Sequence, residues 1–371
     1  MKNILFISHG NSLSGAPLVL LYFMQWLREN YKEYKLDLLV LNEGKLSDDF
    51  KIVANNYYSI KGLEKKIPFQ KQLPFFLSSR LNKFLQKRFM SKIKNNNYHL
   101  IYANTVASLK IAEELKKDSE SQLILHVHEM DTVINQVIPK FRDVEASVDI
   151  FIAASELVKH NLIKKWDIDS DKIKRVYEFS RIEKIDLDYK KQGEDFVVCG
   201  CGYVDWRKGT DIFIQVARHL VFNKNKNRIK FIWIGKISQE DRLIIEADIE
   251  KMGLMSYVSF VGEQLKPHEI LKKCRVFLLP PREDPFPLVC IETAMFAKPI
   301  ICFENATGIA EILIHGGGFI APYLDIEKMA DKVEYYMNNS KELRKDGIIN
   351  QQNFSNFTPN ILCPEIFDFI N

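Results

Sequence analysis

Residues 278–294 read LLPPREDPFPLVCIETA and contain the clearest local signals of the fold class. The run Val276–Leu279 is short and apolar, as is typical of a strand buried on both faces. A proline-rich loop follows, and Pro287 suits the start of a helix, where its missing amide hydrogen is no loss. The stretch therefore predicts a strand–loop–helix unit whose first helical amides form an anion site beyond the carboxyl end of the strand.

The same alternation of short apolar runs and helical patterns extends outward from this unit. The runs predicted as strands are Ile4–Ser8, Leu36–Leu41, Leu100–Ala103, Leu123–Val127, Ile150–Ala154, Arg175–Phe179, Phe196–Gly200, Ile229–Ile234, Val258–Val261, Val276–Leu279 and Pro299–Phe303. Near-continuous apolar strands separated by helices indicate parallel sheets. The charged stretch Glu183–Glu194 interrupts the pattern once. We therefore predict an α/β chain with two Rossmann-like domains facing each other across a cleft, which binds ligands beyond the strand ends.

Composition excludes several classes of protein. With 371 residues, 46% of them hydrophobic, the chain is neither disordered nor collagen-like, and a net charge of +4 is too small to indicate a nucleic-acid partner. The six cysteines include no Cys-x-x-Cys pair, which favours buried thiols in a reducing compartment. No apolar run approaches the ~18 residues of a transmembrane helix, and Ile4–Ile7 is too short for a signal-peptide core. We expect a cytoplasmic protein.

The segment Lys61–Asn97 is strongly basic, with ten Lys and Arg against the single acid Glu64 and with apolar residues interleaved. This composition suits a helix on an anionic membrane surface, where each basic side chain contributes about 1 kcal/mol. In that case the protein is peripheral on the inner face of the cell membrane. The alternative is a helix whose apolar stripe packs on its own domain while its lysines are solvated.

Two carboxylates flank the start of the helix predicted near Pro287. Asp284 and Glu292 are separated by seven residues, so one can reach hydroxyls at the mouth of the site and the other a group beside a phosphate, such as a ribose. With this spacing in the second domain, the chain resembles the retaining GT-B glycosyltransferases of family 4, the glycosyl transferases group 1. Gly200–Asp211 resembles the family's strand–loop unit with Lys-Gly before a helix.

The first domain shows two further resemblances to this family. Ser8–Gly10 with Ser14–Ala16 resembles the glycine-containing loop after the first strand, where the backbone approaches the donor. Leu125–Glu129 resembles the strand end whose histidine lies near the transferred sugar. His9 and Asn104 stand at other strand ends and are expected on the acceptor side.

The resemblance implies transfer, with retention, from a nucleoside diphosphate sugar, with UDP favoured and GDP as an alternative. The implied acceptor is a glycan or lipid-linked molecule of cell-surface polysaccharide or glycoconjugate synthesis. The expected catalytic residues are His128, Arg207, Lys208 and Asp284. The expected donor-binding residues are Gly15, Ala16, Phe286, Pro287, Leu288, Val289 and Glu292. No cofactor or divalent metal is expected, because cations and helix amides would hold the diphosphate. The implied domains are residues 1–188, 189–352 and a C-terminal helix, 353–371, that packs towards the first domain.

Several alternatives stay open at this point. Glu283 adjoins Asp284, so either can be the first carboxylate of the pair. His126 and His128 share one strand face and could bind a metal, although no Asp, Glu or Cys cluster in the sequence completes a ligand set. A dinucleotide fingerprint begins at Gly200 but has Asp205 in place of its third glycine. Other functions with the same fold are a non-catalytic subunit that scaffolds a partner transferase and a nucleotide-sugar epimerase.

Overall fold

The computed structural model describes residues 2–61, 75–181 and 195–370. The chain divides into two compact units, Met1–Glu178 with Pro359–Asn371, and Phe179–Thr358. The domain boundary predicted at residues 188 and 189, and residues 62–74 of the basic segment, lie outside the described residues.

The first unit is built on a parallel sheet of seven strands in the order β3-β2-β1-β4-β5-β6-β7. The strands are β1 (Lys2–Ser8), β2 (Tyr34–Val40), β3 (Asn56–Ser59), β4 (Leu100–Asn104), β5 (Gln122–Val127), β6 (Ile150–Ala153) and β7 (Ile173–Arg175). The helices are α1 (Gly15–Asn30), α2 (Ser47–Val53), α3 (Phe75–Lys94), α4 (Leu109–Lys116), α5 (Asp131–Val137), α6 (Phe141–Glu145) and α7 (Glu156–Trp166). The strand order reverses between β1 and β4, where Ser8 pairs with Asn104. A ligand site is expected at this reversal.

The second unit repeats this design with six parallel strands in the order β10-β9-β8-β11-β12-β13. The strands are β8 (Phe196–Cys201), β9 (Ile229–Ile234), β10 (Val258–Phe260), β11 (Val276–Leu279), β12 (Ile300–Phe303) and β13 (Gly318–Ala321). The helices are α8 (Thr210–Arg218), α9 (Gln239–Lys251), α10 (His268–Leu271), α11 (Leu288–Met295), α12 (Ile309–Leu313), α13 (Ile326–Asn338) and α14 (Ser340–Asn353). Here the order reverses between β8 and β11. The prediction of two Rossmann-like α/β domains is therefore confirmed.

The central strands of both sheets are buried along almost their whole length, as expected for parallel sheets that are covered on both faces. Phe6 in β1 and Phe231 in β9 are fully buried, and Phe231 packs edge-on against Phe213 of α8. Two edge strands were not predicted from the sequence. Asn56–Ser59 is polar and only half buried, and Gly318–Ala321 begins with glycine, so neither has the apolar pattern of a central strand.

The structure corrects the predicted end of one strand and the predicted start of one helix. The last strand of the first sheet ends at Arg175 and not at Phe179, because the chain leaves the sheet after the Val176 amide bonds to the Ala153 carbonyl. Pro287 is the residue before α11 and has an extended backbone, so the first helical residue is Leu288.

The predicted C-terminal helix, 353–371, begins later than expected. It is α15 (Pro359–Phe367), and Phe367 stacks on Tyr31 with ring centroids 3.9 Å apart. Phe354 and Phe357 pack instead with Phe286 of the second unit, because Phe286 offers a buried aromatic face that stacks on Phe357.

The basic segment is described in part. In the later turns of α3, Met90 and Ile93 are buried while Lys87, Arg88 and Lys92 are exposed. This half of the helix therefore packs an apolar stripe on its own unit. Among the described residues, none of the helices has both the length and the apolar character needed to cross a membrane.

Candidate functional site

The loops after β8 and β11 meet at the reversal of the second sheet, and glycine makes this meeting possible. Gly209 has φ +67°, and a Cβ at this position would lie 1.8 Å from the carbonyl oxygen of Pro280. Gly202 has φ +150°, and a Cβ there would press on the side-chain carbons of Lys208 at 3.1 to 3.3 Å. Both positions therefore require glycine, and the loop backbone holds Lys208 against the loop after β11.

Two cations converge on one carboxylate in this place. The Nζ atom of Lys208 lies 2.5 Å from Oδ2 of Asp284, and Nη1 of Arg207 lies 3.4 Å from Oδ1. The side chain of Asp284 is only 6% exposed, against 13% for Lys208 and 27% for Arg207. Arg207 also donates to the carbonyl oxygen of Glu283 at 3.0 Å. Of the two neighbouring acids, Asp284 is thus the one whose carboxylate meets both cations.

The start of α11 lies beside this cluster in sequence and carries the predicted donor loop. Phe286, Pro287 and Leu288 are buried, and Val289 is half-buried. As the first residues of an α-helix, Leu288 and Val289 have amides without an intrahelical acceptor, and these amides form the positive end of the helix dipole. The segment combines a helix start with two neighbouring cations, which is the chemistry of an anion site.

Glu292, one turn into α11, has a partner that the sequence did not indicate. Its Oε2 atom lies 3.3 Å from Nε2 of His268 in α10. The hydrogen bond to Glu292 raises the pKa of His268, although partial burial opposes this, and the charge of Glu292 adds to the rise. His268 stands alone in a polar stretch, so only the packing of α10 on α11 reveals the pair.

In the first unit, His128 follows β5 and is hydrogen-bonded through both ring nitrogens. Its Nδ1 atom lies 2.5 Å from Oε1 of Glu178, and its Nε2 atom lies 2.9 Å from Oδ1 of Asn104. Burial alone would lower the pKa of His128, but the charge and hydrogen bond of Glu178, with the charge of Glu129, raise it. Glu178 follows β7, within a run that was predicted to be strand, and its role was missed.

The remaining predicted residues of the first unit surround the same strand ends. Asn104 donates through Nδ2 to the carbonyl oxygen of Ala16 at 3.0 Å, and Gly15 is exposed at the start of α1. Nδ1 of His9 lies 3.1 Å from Oγ1 of Thr105. Burial and the nearby charge of His128 lower the pKa of His9. The structure thus links Ala16, Asn104 and His128 directly and places His9 beside the residue that follows Asn104.

A metal pair formed by His126 and His128 was an open alternative, and Glu178 supplies the third side chain that the sequence did not reveal. Ligand atoms of these three residues lie within 4.8 Å of one another. Metal binding needs a ring nitrogen without a proton. Both nitrogens of His128 face oxygen acceptors in the structure, which is the arrangement of a hydrogen-bonded histidine.

Comparison with known proteins agrees with this architecture. Residues 181–354 match the family model of the glycosyl transferases group 1. The fold is GT-B. The HepE protein of Anabaena in complex with UDP-glucose superimposes with a TM-score of 0.78 at 16% identity, over 100% of this chain and 99% of that one. At this identity the likeness shows the fold alone.

Curated relatives cover a smaller share of the chain. The capsular polysaccharide biosynthesis glycosyltransferase CapM of Staphylococcus aureus is 26% identical over 235 residues, 59% of this chain and 60% of CapM. The amylovoran biosynthesis glycosyltransferase AmsD of Erwinia amylovora is 27% identical over 169 residues, 43% of this chain and 48% of AmsD. The chain therefore spans less than two thirds of the length of these relatives. The matches support a place in the glycosyltransferase superfamily.

Proposed function

We propose that the chain is a retaining glycosyltransferase of family 4 that uses a nucleoside diphosphate sugar. The observation that carries the proposal is the convergence of Arg207 and Lys208 on Asp284 beside the start of α11. When the bond between sugar and phosphate breaks, negative charge grows on the diphosphate. Preorganised cations and helix amides stabilise such charge, which is commonly the largest single contribution to catalysis.

The leaving diphosphate is proposed to bind Arg207, Lys208 and the amides of Leu288 and Val289. These groups can neutralise it, so the reaction needs neither a divalent metal nor a cofactor. The departing phosphate then helps to take the proton from the acceptor hydroxyl as the acceptor attacks from the same face of the sugar. This mechanism retains the anomeric configuration.

Asp284 and Glu292 are proposed to orient the donor. In the structure Asp284 pairs with both cations, and an arriving diphosphate would compete for them and leave the carboxylate to bind sugar hydroxyls. Glu292 is half-buried one turn into α11, and we assign it to the ribose. Phe286 and Pro287 shape the loop that precedes these contacts.

The first unit is proposed to serve the sugar and the acceptor. We assign His128 to the transferred sugar, Gly15 and Ala16 to the donor, and His9 and Asn104 to the acceptor. UDP is favoured over GDP because the HepE structures hold UDP and UDP-glucose. A glycan or lipid-linked acceptor of cell-surface polysaccharide synthesis is favoured because CapM and AmsD act in capsular polysaccharide and amylovoran biosynthesis.

Such an enzyme would work in the cytoplasm, peripheral to the inner face of the membrane that holds a lipid-linked acceptor. Residues 61–97 are the proposed contact with anionic lipid, and no nucleic acid takes part. Co-sedimentation with liposomes tests the contact. Binding that rises with the anionic lipid fraction and falls with salt supports it, and binding that is independent of both overturns it.

The nucleotide proposal is tested by thermal unfolding with UDP, GDP, ADP, dTDP and NAD, each without and with magnesium. A nucleotide at ~100 times its dissociation constant should stabilise the fold by about 2.7 kcal/mol. Selective stabilisation by UDP or GDP without magnesium supports the proposal, whereas stabilisation by NAD alone overturns it. Binding without transfer that a second protein restores would indicate a scaffolding subunit, and conversion of donor without acceptor would indicate an epimerase.

A further inference from the structure

One buried hydrogen-bond chain lies where three strands of the first unit end and helix α1 begins. It runs from the carbonyl oxygen of Ala16 at the start of α1, through Asn104 at the end of β4 and His128 after β5, to Glu178 after β7. The side chains of His128 and Glu178 are only 7% and 5% exposed. A charge here would be shielded from water, so its counter-ion has to lie within the chain.

The direction of each hydrogen bond can be assigned from the donors and acceptors. The side-chain amide of Asn104 gives Nδ2 to the carbonyl oxygen of Ala16 at 3.0 Å, so its Oδ1 atom must face Nε2 of His128. The reverse orientation would set two acceptor oxygens against each other. Because Oδ1 accepts, Nε2 of His128 carries a proton.

The other ring nitrogen faces a carboxylate. Nδ1 of His128 lies 2.5 Å from Oε1 of Glu178, and an ionised carboxylate only accepts. A neutral imidazole has one N–H, yet both nitrogens of His128 face acceptors. We infer that His128 is a buried imidazolium with Glu178 as its counter-ion, and that Glu178 acts on sugar transfer through His128 as a positioning residue.

The other titratable groups around His128 agree with a single positive charge at this place. The ring of His126 in β5 packs against it, tilted by 37°, with ring centroids 3.9 Å apart, and burial, with the charge of His128, holds the pKa of His126 well below its usual value. His9, in the loop after β1, also has a lowered pKa. Glu129, the next residue in the chain, accepts a hydrogen bond from the backbone amide of His128, and its negative charge also raises the pKa of His128.

The consequence for the reaction rests on the proposed function. An imidazolium held at the carboxyl edge of the first sheet fixes the amide of Asn104, and through it the start of α1 at Ala16. Loss of Glu178 removes the charge partner of His128 and one of its two ring hydrogen bonds. His128 and Asn104, which we assign to the sugar and the acceptor, would then lose their orientation together. Small misplacements of this kind lower reaction rates by about 100-fold.

The decisive measurement is ¹⁵N NMR of the full chain with labelled histidine, recorded between pH 5 and 9 without nucleotide. The His128 signal is assigned by comparison with His128→Gln. We expect both ring nitrogens of His128 to be protonated at pH 7, with titration above that of His9 and His126. In Glu178→Gln the titration should move to lower pH, and in Glu178→Asp it should return part of the way.

Glu156→Gln is the matched control, because this glutamate pairs with Arg175 and not with His128. It should leave the His128 titration unchanged. One protonated nitrogen in the wild-type protein at pH 7, or an unchanged titration in Glu178→Gln, would overturn the inference. Binding of added Zn²⁺ with a change in the His126 and His128 signals would also overturn it, in favour of a metal site.

Activity separates this inference from the proposed function. We expect kcat of Glu178→Gln to fall about 100-fold with an alkaline limb moved to lower pH, and Glu178→Asp to recover part of both. The predicted NMR result together with unchanged kcat would overturn the role of Glu178 in transfer. Absence of any transferase activity in the wild-type protein would overturn the proposed function while the protonation of His128 stood on the NMR result.

Discussion

Lys208 and Asp284 join the two loops at the reversal of the second sheet, with Nζ and Oδ2 2.5 Å apart. Oδ1 of Asp284 also lies 3.4 Å from Nη1 of Arg207, so one buried carboxylate forms ion pairs with two cations. A diphosphate carries enough charge to replace Asp284 in this arrangement. The pair therefore marks the position where a phosphate ligand and a protein carboxylate would compete.

Replacement of Lys208 by alanine should lower the transfer rate by about 100-fold or more, because one stabiliser of the leaving group is lost. The effect is measured as the initial rate of sugar transfer, with the sugar donor of the nucleotide that stabilises the protein in thermal unfolding. Lys251→Ala, at an exposed lysine of α9, is the control and should keep wild-type activity. Near-normal turnover by Lys208→Ala would contradict the assigned role.

Replacement of Asp284 by asparagine should tighten the binding of a nucleoside diphosphate while it slows transfer. The neutral amide no longer competes with phosphate for Lys208 and Arg207. The free energy of unfolding should fall by about 1–3 kcal/mol, because two partly buried cations lose their anion. Calorimetric titration with UDP and urea unfolding measure the two effects.

Asp211→Asn is the matched control for this experiment, since Asp211 also binds an arginine, Arg282, at 2.8 Å but is 52% exposed. Loss of an exposed pair should cost less than about 1 kcal/mol and leave the UDP affinity unchanged. Weaker UDP binding by Asp284→Asn would show that the carboxylate does not compete with phosphate.

The pair of His268 and Glu292 predicts a pH-dependent stability. Because Glu292 raises the pKa of His268 above 6.5, the pair stabilises the fold fully below that pH, and its contribution is lost as the pH rises through the raised value. The difference in unfolding free energy between wild type and His268→Gln should therefore shrink towards alkaline pH. Urea unfolding at several pH values measures it.

His315→Gln, at an exposed histidine of the same unit, serves as the comparison for the replacement of a histidine by glutamine. The direction of the trend is the test. A difference between wild type and His268→Gln that stays constant with pH, or grows as the pH rises, would contradict the assigned ion pair.

Sequence alone predicted the central strands and the loops after them, because their apolar runs and glycines are local signals. It could not predict which side chains meet across those loops. Glu178 and His268 became visible only through packing, since the first lies in a run with the pattern of a strand and the second has no motif around it. The edge strand Asn56–Ser59 was missed because a half-exposed strand lacks a continuous apolar pattern. The pairing of Asp284 with Lys208 depends on a register that only the folded sheet defines.

Comparison of Gly209 with Gly253 separates the effect of the close approach between the loops from the effect of backbone strain. The two glycines have nearly the same φ, +67° and +69°. A Cβ at position 209 would lie 1.8 Å from the Pro280 carbonyl oxygen, whereas a Cβ at position 253 would meet only Phe222, at 3.4 Å. Gly253→Ala should therefore cost about 1–2 kcal/mol from the left-handed backbone alone. Gly209→Ala should cost clearly more and should also lower transfer, because Lys208 shifts with the loop. Thermal unfolding and initial rates measure both variants. Equal losses of stability would mean that the loop after β8 does not need its close approach to Pro280.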